Sequence, residues 1–444
     1  MRESAAIRLV ERPDARPFCG PTVGVLTLRA IFLAALAAAL ATGAHAAPAP
    51  VKKDARVWAA AERLRPEQLR LLEQVVNIDS GTGDVEGGRK VADILAGELA
   101  ALGMEVERVA AEAPGLPYNL VARLHGTGKG RILMIGHLDT VFEPGTVAKR
   151  PYRTDGDKAY GPGVGDEKGG VVGGLYALKI LKQLGFRDFK TITYLVETSE
   201  ERGSPGTRAL IAALLNEADV ELNLEPGQEP DAVTVWRKGS TTFHIEVKGR
   251  PAHAGVSPQD GRNAAEELIH QIEGLKALPK SGDGLTVNLT LMKAGARHNI
   301  IPEDASAGFS VRFREKAQGE QVAALMAANA AKPLIPDTQV SVRQESSYPP
   351  LPVNPSTEAL AARAQAIYAG LGLTLTTGGS GGASESALAA EAGVPALDGL
   401  GPAGGEYHSE REYIRLPTVS PRTYLLTKLI MELGAKAPPR MAPR

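Results

Sequence analysis

Seven acidic and histidine side chains in this sequence follow apolar segments or lie in Gly-rich segments. They are His137, Asp139, Asp166, Glu200, Glu201, Glu225 and His408. If the apolar segments are parallel strands, their carboxyl ends meet at one edge of a sheet, and these side chains converge there. Buried carboxylates repel one another and lose hydration, so such a cluster is strongly unfavourable without a cation. The sequence therefore predicts a metal site that holds two ions.

Histidine nitrogen and carboxylate oxygen, with no sulfur, favour zinc, although Mn²⁺ and Co²⁺ remain open. One bridging carboxylate, with one histidine and one further carboxylate at each ion, holds two divalent ions about 3.5–4 Å apart. Asp139, two residues after His137, is placed to accept the second ring N–H of that histidine. Of Glu200 and Glu201, one can bind metal while the other serves as a base, and their spacing leaves the assignment open.

Each signal also has a structural interpretation, because a lone H-x-D is often a core pair and an E-E dipeptide is often a solvated turn. The order and placement of several signals at predicted strand ends favour the metal site.

Strands and amphipathic helices alternate around these residues, which predicts an α/β fold with a mostly parallel sheet covered on both faces. A first helix is predicted from apolar residues that would lie on one face, namely Val91, Ile94, Leu95, Leu99 and Leu102. The predicted strands and helices that follow cover residues 120–124, 132–135, 169–184, 191–196, 207–216 and 220–224.

After Pro230 the pattern changes to β-α-β-β-α-β, which describes a complete small α+β domain of the ferredoxin-like type. Its predicted elements cover residues 241–247, 263–275, 285–291, 305–313, 320–331 and 339–343. The chain then returns to a helix over residues 358–368, a strand over 394–400 and a last helix. We therefore predict a catalytic domain from residues 55–231 and 347–436, with an inserted domain at residues 232–346.

Composition excludes several classes of protein. Lys and Arg number 50 and Asp and Glu number 51, and no basic cluster stands out, so nothing favours binding to nucleic acid or to an acidic membrane. Residues 1–46 are predicted to be a signal peptide cleaved near Ala46, which implies secretion into the periplasm. Their apolar run is too short for a membrane anchor. The single Cys19 lies within this segment, so the mature chain has no thiol chemistry.

The segments GHLDTVF, AYGPGVGDEKGG, ETSEERGS, LNLEPG and EYHSE resemble, in this order, the co-catalytic zinc M20 metallopeptidases, and in particular their glutamate carboxypeptidase (carboxypeptidase G) branch. The resemblance covers nearly the whole mature chain. It implies that His137, Asp166 and Glu225 hold one zinc, and that Asp166, Glu201 and His408 hold the other. Glu200 would be the general base and proton shuttle, Asp139 the partner of His137, and Asp166–Glu167 a candidate cis peptide.

The resemblance also implies roles for three residues of the inserted domain, which would serve as a lid and as the contact of a homodimer. His253 would stabilise the oxyanion, often in the partner's active site, Asn299 would contact substrate, and Arg312 would clamp the terminal carboxylate. A guanidinium suits that task because its fork matches a carboxylate. The structural interpretations are that His253 caps a turn and that Arg312 is an exposed strand residue.

Two further segments bear on specificity. The glycine-rich run at residues 378–382 is expected to line the substrate site, because no P-loop lysine follows it. Where the glutamate-specific branch has another arginine, this chain has Ser346-Ser347-Tyr348, with Arg343 nearby. Strict glutamate preference is therefore open.

We expect a secreted zinc-dependent carboxypeptidase that hydrolyses the amide bond to a C-terminal amino acid, glutamate or a similar residue, of N-acyl amino acids or peptides. Glu200 would take a proton from the attacking water and pass it to the leaving amine. Two alternatives remain: an aminoacylase or deacylase of N-acyl amino acids, and a metal-free binding protein with the same fold.

Overall fold

The computed structural model describes residues 50–345, 348–436 and 438–441. The predicted signal peptide and Ser346-Ser347 lie outside the described residues. Two helices open the described chain, α1 (Ala55–Val76) and α2 (Val85–Ala101). Helix α1 begins after Asp54, whose carboxylate accepts the backbone N–H of Arg56 and Val57 as an N-cap.

The next elements build most of a six-stranded sheet. They are β1 (Glu105–Val109), β2 (Asn119–His125), β3 (Arg131–His137), α3 (Thr146–Lys149), β4 (Arg153–Asp155), β5 (Lys158–Tyr160), α4 (Lys168–Gln183), β6 (Thr191–Glu197), α5 (Arg208–Glu217) and β7 (Val220–Asn223). The sheet has the order β1-β2-β6-β3-β7 and is completed by a late strand, β15 (Ala396–Leu397), next to β7. Strand β3 pairs in parallel with β6 and β7, while β1 and β2 are antiparallel at one edge.

Strand β3 shows why both faces of this sheet are covered. Ile132 and Met134 belong to a core cluster shared with α1, α2 and α4, whereas Leu133 and Ile135 pack in a second cluster with α5. Successive side chains of a strand point to opposite faces, so an apolar residue at each position requires helices on both sides. The carboxyl end of β3 is therefore a buried position on which His137 is fixed.

A second sheet follows in the chain. Its region contains β8 (Gly227–Gln228), β9 (Ala232–Arg237), β10 (Gly239–Lys248), α6 (Ala264–Glu273), β11 (Thr286–Ala294), β12 (Asp304–Phe313), α7 (Lys316–Ala330) and β13 (Gln339–Gln344). Strands β11-β12-β10-β13 form an antiparallel sheet in this order, with α6 and α7 packed on it around a separate hydrophobic cluster. The predicted β-α-β-β-α-β order is the observed one.

The last elements complete the first sheet and contribute strands to a third. They are α8 (Pro355–Ala369), β14 (Thr376–Ser380), α9 (Ser386–Glu391), β15 (Ala396–Leu397), β16 (Ala403–Gly405), β17 (Tyr413–Arg415) and α10 (Val419–Ala435). Strand β15 pairs in parallel with β7, so the predicted α/β class is confirmed. The predicted strand over residues 394–400 is reduced to two residues.

A third, seven-stranded sheet has the order β14-β9-β8-β16-β17-β5-β4, and it was not predicted from the sequence. Gly379 of β14 shows one reason for the glycine-rich run, because a Cβ there would lie 1.6 Å from the ring of Trp236 on β9. Only glycine allows these two strands to approach so closely. Among the described helices, none has the length and apolar character needed to cross a membrane.

Candidate metal centre and active site

The structure gathers the predicted site residues at the carboxyl ends of β3, β6 and β7. His137 ends β3, Glu200 and Glu201 lie in a short 3₁₀ turn after β6, and Glu225 follows β7. Asp166 precedes α4, and His408 lies in the turn between β16 and β17. The six-stranded sheet thus supplies most of the cluster, and the third sheet brings in the last histidine.

His137, Asp166 and Glu225 form one set of potential metal ligands, with one ligand atom of each within 4.8 Å of the others. His137 Nε2 lies 3.1 Å from Asp166 Oδ1 and 3.6 Å from Glu225 Oε1. The imidazole of His137 is fully buried. Its Nδ1 lies 3.0 Å from the backbone carbonyl of Asp139 and donates to it in the tautomer that leaves Nε2 free for a cation.

Asp166, Glu201 and His408 form a second set with the same spacing. His408 Nε2 lies 3.2 Å from Asp166 Oδ2 and 3.1 Å from Glu201 Oε2. Asp166 therefore presents Oδ1 to His137 and Oδ2 to His408. A carboxylate whose two oxygens face two histidines has the arrangement that a bridging ligand requires.

The residues present fit divalent cations. Burial raises the pKa of Glu200 well above its usual range and that of Glu201 to about 7, because carboxylates crowd together there. Within the described chain, Glu201 Oε1 is buried without a hydrogen-bond partner. Hydrogen bonds to Asp166 and Glu201 raise the pKa of His408 to about 11. Oxygen and nitrogen ligands crowded in this way are compensated by bound divalent ions.

Asp139 lies beside His137, as expected, but the Nδ1 of the histidine is closer to the main chain of Asp139 than to its carboxylate. Its Oδ1 lies 3.5 Å from His137 Nδ1, farther than its own backbone carbonyl. The carboxylate instead accepts the backbone N–H of Glu200 at 3.2 Å and of Glu201 at 3.4 Å, and the hydroxyl of Thr82 at 2.6 Å. The side chain of Asp139 therefore orients the turn that carries both glutamates, and its main chain orients His137.

Glu200 and Glu201 point in different directions, as expected for neighbours at a strand end. Glu201 faces His408, whereas Glu200 Oε2 lies 3.9 Å from His137 Nε2 and borders the cavity beside the two ligand sets. Glu200 belongs to neither set. It is therefore free to exchange a proton with a molecule in the cavity.

Three buried side chains that support the ligands were missed in the sequence. Glu412 accepts the backbone N–H of Gly163, Gly165 and Asp166, at 3.2, 2.9 and 3.0 Å. Glu167 accepts the backbone N–H of His137 at 3.0 Å. Arg237 donates to Glu225 at 3.0 Å. For Glu412 the available signal was its position four residues after His408, and for Glu167 it was the motif around Asp166.

The peptide bond between Asp166 and Glu167 is cis, as the family resemblance implied.

A cavity of about 600 Å³ opens beside the two ligand sets. The residues that line its other walls come from the inserted segment and from the glycine-rich run, and include Ser240, Thr241, Thr242, Arg312, Glu345, Ser380, Gly381 and Gly382. The structure thus places Arg312 and the glycine-rich run at the cavity, where both were expected. Arg343 is not among the lining residues and instead contacts Glu345 at 3.2 Å.

His253 and Asn299 are exposed and do not line this cavity. Nδ1 of His253 accepts the backbone N–H of Gly255 and Val256 at 3.1 Å each, so within one chain this histidine caps a turn. Its Nε2 consequently carries the proton and can serve only as a donor in the neutral state.

Comparison with known proteins agrees with this site. Residues 133–432 match the family described as Peptidase family M20/M25/M40. Carboxypeptidase G2 of Pseudomonas sp. (strain RS-16) is 35% identical over 405 residues, which cover 90% of this chain and 98% of that protein. Succinyl-diaminopimelate desuccinylase of Paracoccus denitrificans (strain Pd 1222) is 32% identical over 289 residues, covering 60% of this chain and 72% of that protein.

Solved structures show the same fold. An M20 family metallo-carboxypeptidase from Sulfolobus solfataricus superposes with a TM-score of 0.67 at 16% identity, covering 83% of this chain and 99% of that one. The chain belongs to the M20 family of metallopeptidases. It is accordingly a hydrolase with a candidate site for divalent metal.

Proposed function

We propose that this protein is a zinc-dependent carboxypeptidase that hydrolyses the amide bond to a C-terminal amino acid of N-acyl amino acids or peptides. The observation that carries the proposal is the arrangement of the Asp166 carboxylate, which offers one oxygen to each of the two ligand sets. Glu200 lies beside both sets at the cavity. The 35% identity to carboxypeptidase G2 supports the same reaction class.

Two zinc ions would be held by His137, Asp166 and Glu225 and by Asp166, Glu201 and His408. When bound, the ions supply Lewis acidity that polarises a carbonyl and lowers the pKa of a water molecule. The absence of sulfur from both sets favours zinc, and Mn²⁺ or Co²⁺ fits the same oxygen and nitrogen atoms.

Glu200 is the proposed proton carrier. It takes a proton from the attacking water and delivers it to the leaving amine. In the metal-free chain, burial raises the pKa of Glu200 well above its usual range. The backbone contacts of Asp139 keep the Glu200 turn in place during this exchange.

Arg312 is the proposed anchor for the substrate's terminal carboxylate. Its guanidinium lines the cavity and, within the described residues, makes no hydrogen bond or salt bridge, so it is available to a ligand. A guanidinium binds a carboxylate through two parallel hydrogen bonds. Glutamate or a similar residue is the proposed C-terminal amino acid. Arg343 does not line the cavity and contacts Glu345 instead, so it is not proposed as a substrate contact.

A deacylase acting on N-acyl amino acids is the second candidate, and the desuccinylase of Paracoccus denitrificans is the observation that favours it. Both reactions cleave an amide with the same proton transfers, and they differ in which side of the bond the cavity recognises. A panel of N-acyl amino acids and dipeptides, assayed with and without a chelator, separates them.

We expect hydrolysis to be lost when the chelator is added. We also expect the hydrolysis rate to depend strongly on the C-terminal amino acid and little on the acyl group. Rates set by a small acyl group would favour the deacylase. Turnover that chelation leaves intact would contradict the metal dependence. Fewer than one zinc per chain, with no turnover on any substrate, would contradict the proposal and favour a binding protein.

We further propose a catalytic domain of residues 55–231 and 347–436 and a lid of residues 232–346 that also forms a homodimer. The supporting observation is edge strand β11, whose Leu289, Leu291 and Met292 are 40%, 60% and 48% exposed. An exposed apolar edge strand is prone to pair with another chain. In such a dimer, the Nε2–H of His253 would donate a hydrogen bond to an oxyanion in the partner's active site, and Asn299 would contact substrate.

The dimer is tested with Leu291→Lys, which places a charge on the edge strand. Light scattering during size-exclusion chromatography should report a dimer for the wild type and a monomer for the variant. Leu373→Lys, at a residue that is 42% exposed and lies outside the inserted segment, is the matched control and should stay dimeric. A monomeric wild type would contradict the proposal.

For the chain's N-terminus, we propose export with cleavage near Ala46 and a periplasmic location. Mass spectrometry of the exported protein should find an N-terminus near Ala47. An intact N-terminus would contradict cleavage.

A further inference from the structure

The two oxygens of Glu225 have different partners. Oε1 lies 3.6 Å from His137 Nε2 and faces the first ligand set. Oε2 accepts a hydrogen bond from the guanidinium of Arg237 at 3.0 Å. Glu225 therefore offers one oxygen to a cation and keeps the other on Arg237.

Arg237 is itself fixed by a second acid. It is 4% exposed, and its Nε and one terminal nitrogen donate to the two oxygens of Asp398 at 2.7 and 2.6 Å. Asp398 is fully buried and also accepts the hydroxyl of Ser384 at 2.5 Å. This paired contact fixes the plane of the guanidinium, because both members of the pair are planar forks.

Glu201 in the second ligand set lacks such a partner. Its Oε2 faces His408 at 3.1 Å, and its Oε1 has no hydrogen bond to any described residue. The two glutamates thus differ in the freedom that their carboxylates retain. Only the first set has a buried arginine that selects one carboxylate oxygen.

We infer that Arg237, held by Asp398, is a positioning residue that orients Glu225 and commits it to one-oxygen binding of the first cation. The inference rests on the proposed metal site and adds to it a support specific to one of the two ions. Partners that orient metal-binding side chains commonly contribute 10–100-fold, in order of magnitude, to metal affinity. Arg237 also compensates one of the two negative charges of Glu225 and Asp398, so the three buried side chains together carry a net charge of −1.

The test uses the full mature protein loaded with zinc, and measures the dissociation constants of both ions by competition with a chromophoric chelator. Arg237→Lys keeps the positive charge and removes the fork. We expect one of the two ions to bind about 10–100-fold more weakly while the other is unchanged. Unchanged or tighter binding of both ions would overturn the inference.

Arg422→Lys is the matched control. Arg422 is 2% exposed and pairs with Asp231 at 2.6 Å, so it is an equally buried arginine, but it contacts none of the five proposed ligands. We expect this variant to lose thermal stability and to keep both zinc dissociation constants. If Arg422→Lys weakened zinc binding as much as Arg237→Lys, the effect would be general destabilisation and the inference would fail.

Asp398→Asn provides a second route that leaves Arg237 in place. Arg237 and Asp398 act on Glu225 through the same contact. The double variant should therefore bind zinc no more weakly than whichever single variant has the lower zinc affinity. Additive losses would contradict the shared role. A wild type without two bound ions would instead refute the proposed metal site itself, so the two failures are distinguishable.

Discussion

Asp166 joins two ligand sets whose histidines lie far apart in the chain, because its Oδ1 faces His137 and its Oδ2 faces His408. Neither histidine can reach the other's set. The shared carboxylate is therefore the residue on which both proposed ions depend, and its own backbone is held by Glu412.

The neighbouring residues Glu200 and Glu201 allow a test in which each is the control of the other. Glu200→Gln removes the proton carrier, so we expect both zinc ions to remain while kcat falls by about 10²–10⁴-fold. Glu201→Gln removes a ligand, so we expect loss of the ion in the second set. Elemental analysis of the zinc content and steady-state kinetics together separate the two variants. A near-normal kcat in Glu200→Gln would show that Glu200 is not the proton carrier.

Zinc binding to the second set should release protons. Without a cation, the pKa of Glu201 is raised to about 7 by burial, and that of His408 to about 11 by its hydrogen bonds to Asp166 and Glu201. Metal requires the carboxylate and the neutral imidazole, so protons compete with zinc. The affinity should fall as the pH decreases below about 11, where His408 gains a proton, and more steeply below about 7, where Glu201 also gains one. Isothermal titration calorimetry in two buffers with different ionisation enthalpies counts the released protons, and a count of zero would contradict this.

Sequence patterns pointed to the residues of the two candidate ligand sets, which the structure brings together, but missed residues such as Arg237 and Glu412. Ligand types are recognisable because histidines and carboxylates at strand ends have a chemical reason to be there. The role of Arg237 depends on its meeting Asp398, which follows it by 161 positions in the chain. Such a pairing has no local signal, since it is created only when the strands assemble.

At the scale of elements, the turn between β16 and β17 performs two tasks. It presents His408 to the second ligand set, and it carries Glu412, whose carboxylate accepts three backbone N–H groups around Asp166. One turn from the third sheet therefore supplies a proposed ligand and positions the proposed bridging carboxylate.

Glu412→Gln should weaken this support, because one oxygen that accepts N–H groups becomes an amide donor. We expect unfolding to become easier by about 1–3 kcal/mol. We also expect weaker binding of both zinc ions, since Asp166 serves both. Thermal unfolding and chelator competition measure the two effects.

Glu267→Gln is the control for this prediction. Glu267 is equally buried and accepts the backbone N–H of Ile335 at 2.7 Å, but it lies in the inserted segment away from the site. It should lose comparable stability and keep its zinc affinity. Equal zinc affinity in Glu412→Gln and the wild type would contradict the role given to Glu412.

Long, periodic elements were predictable, and short ones were not. The helix predicted over residues 169–184 is observed as Lys168–Gln183, and its apolar residues Val171, Leu175 and Leu178 are spaced by four and three positions, as in a helix. Strands β8 and β15 have two residues each, too few for an alternating pattern. Strand β14 contains Gly378 and Gly379, which in a sequence indicate a loop.

At the scale of the whole molecule, two parts of the chain form the cavity. The six-stranded sheet and the third sheet supply the ligands, and β12 of the inserted segment supplies Arg312 on the opposite wall. The order of the inserted elements was predictable from alternating strand and helix patterns. The third sheet was not, because its strands come from segments as far apart as residues 153 and 415.

The central claim is that Asp166 bridges two ions, and zinc stoichiometry after removal of single ligands tests it most directly. The wild type, His137→Ala and Asp166→Ala are purified, equilibrated with zinc and freed of unbound metal, and elemental analysis then gives zinc per chain. We predict two ions for the wild type, about one for His137→Ala and fewer than one for Asp166→Ala, because only Asp166 serves both sets. An Asp166→Ala variant that retained one or more zinc ions per chain would contradict the account.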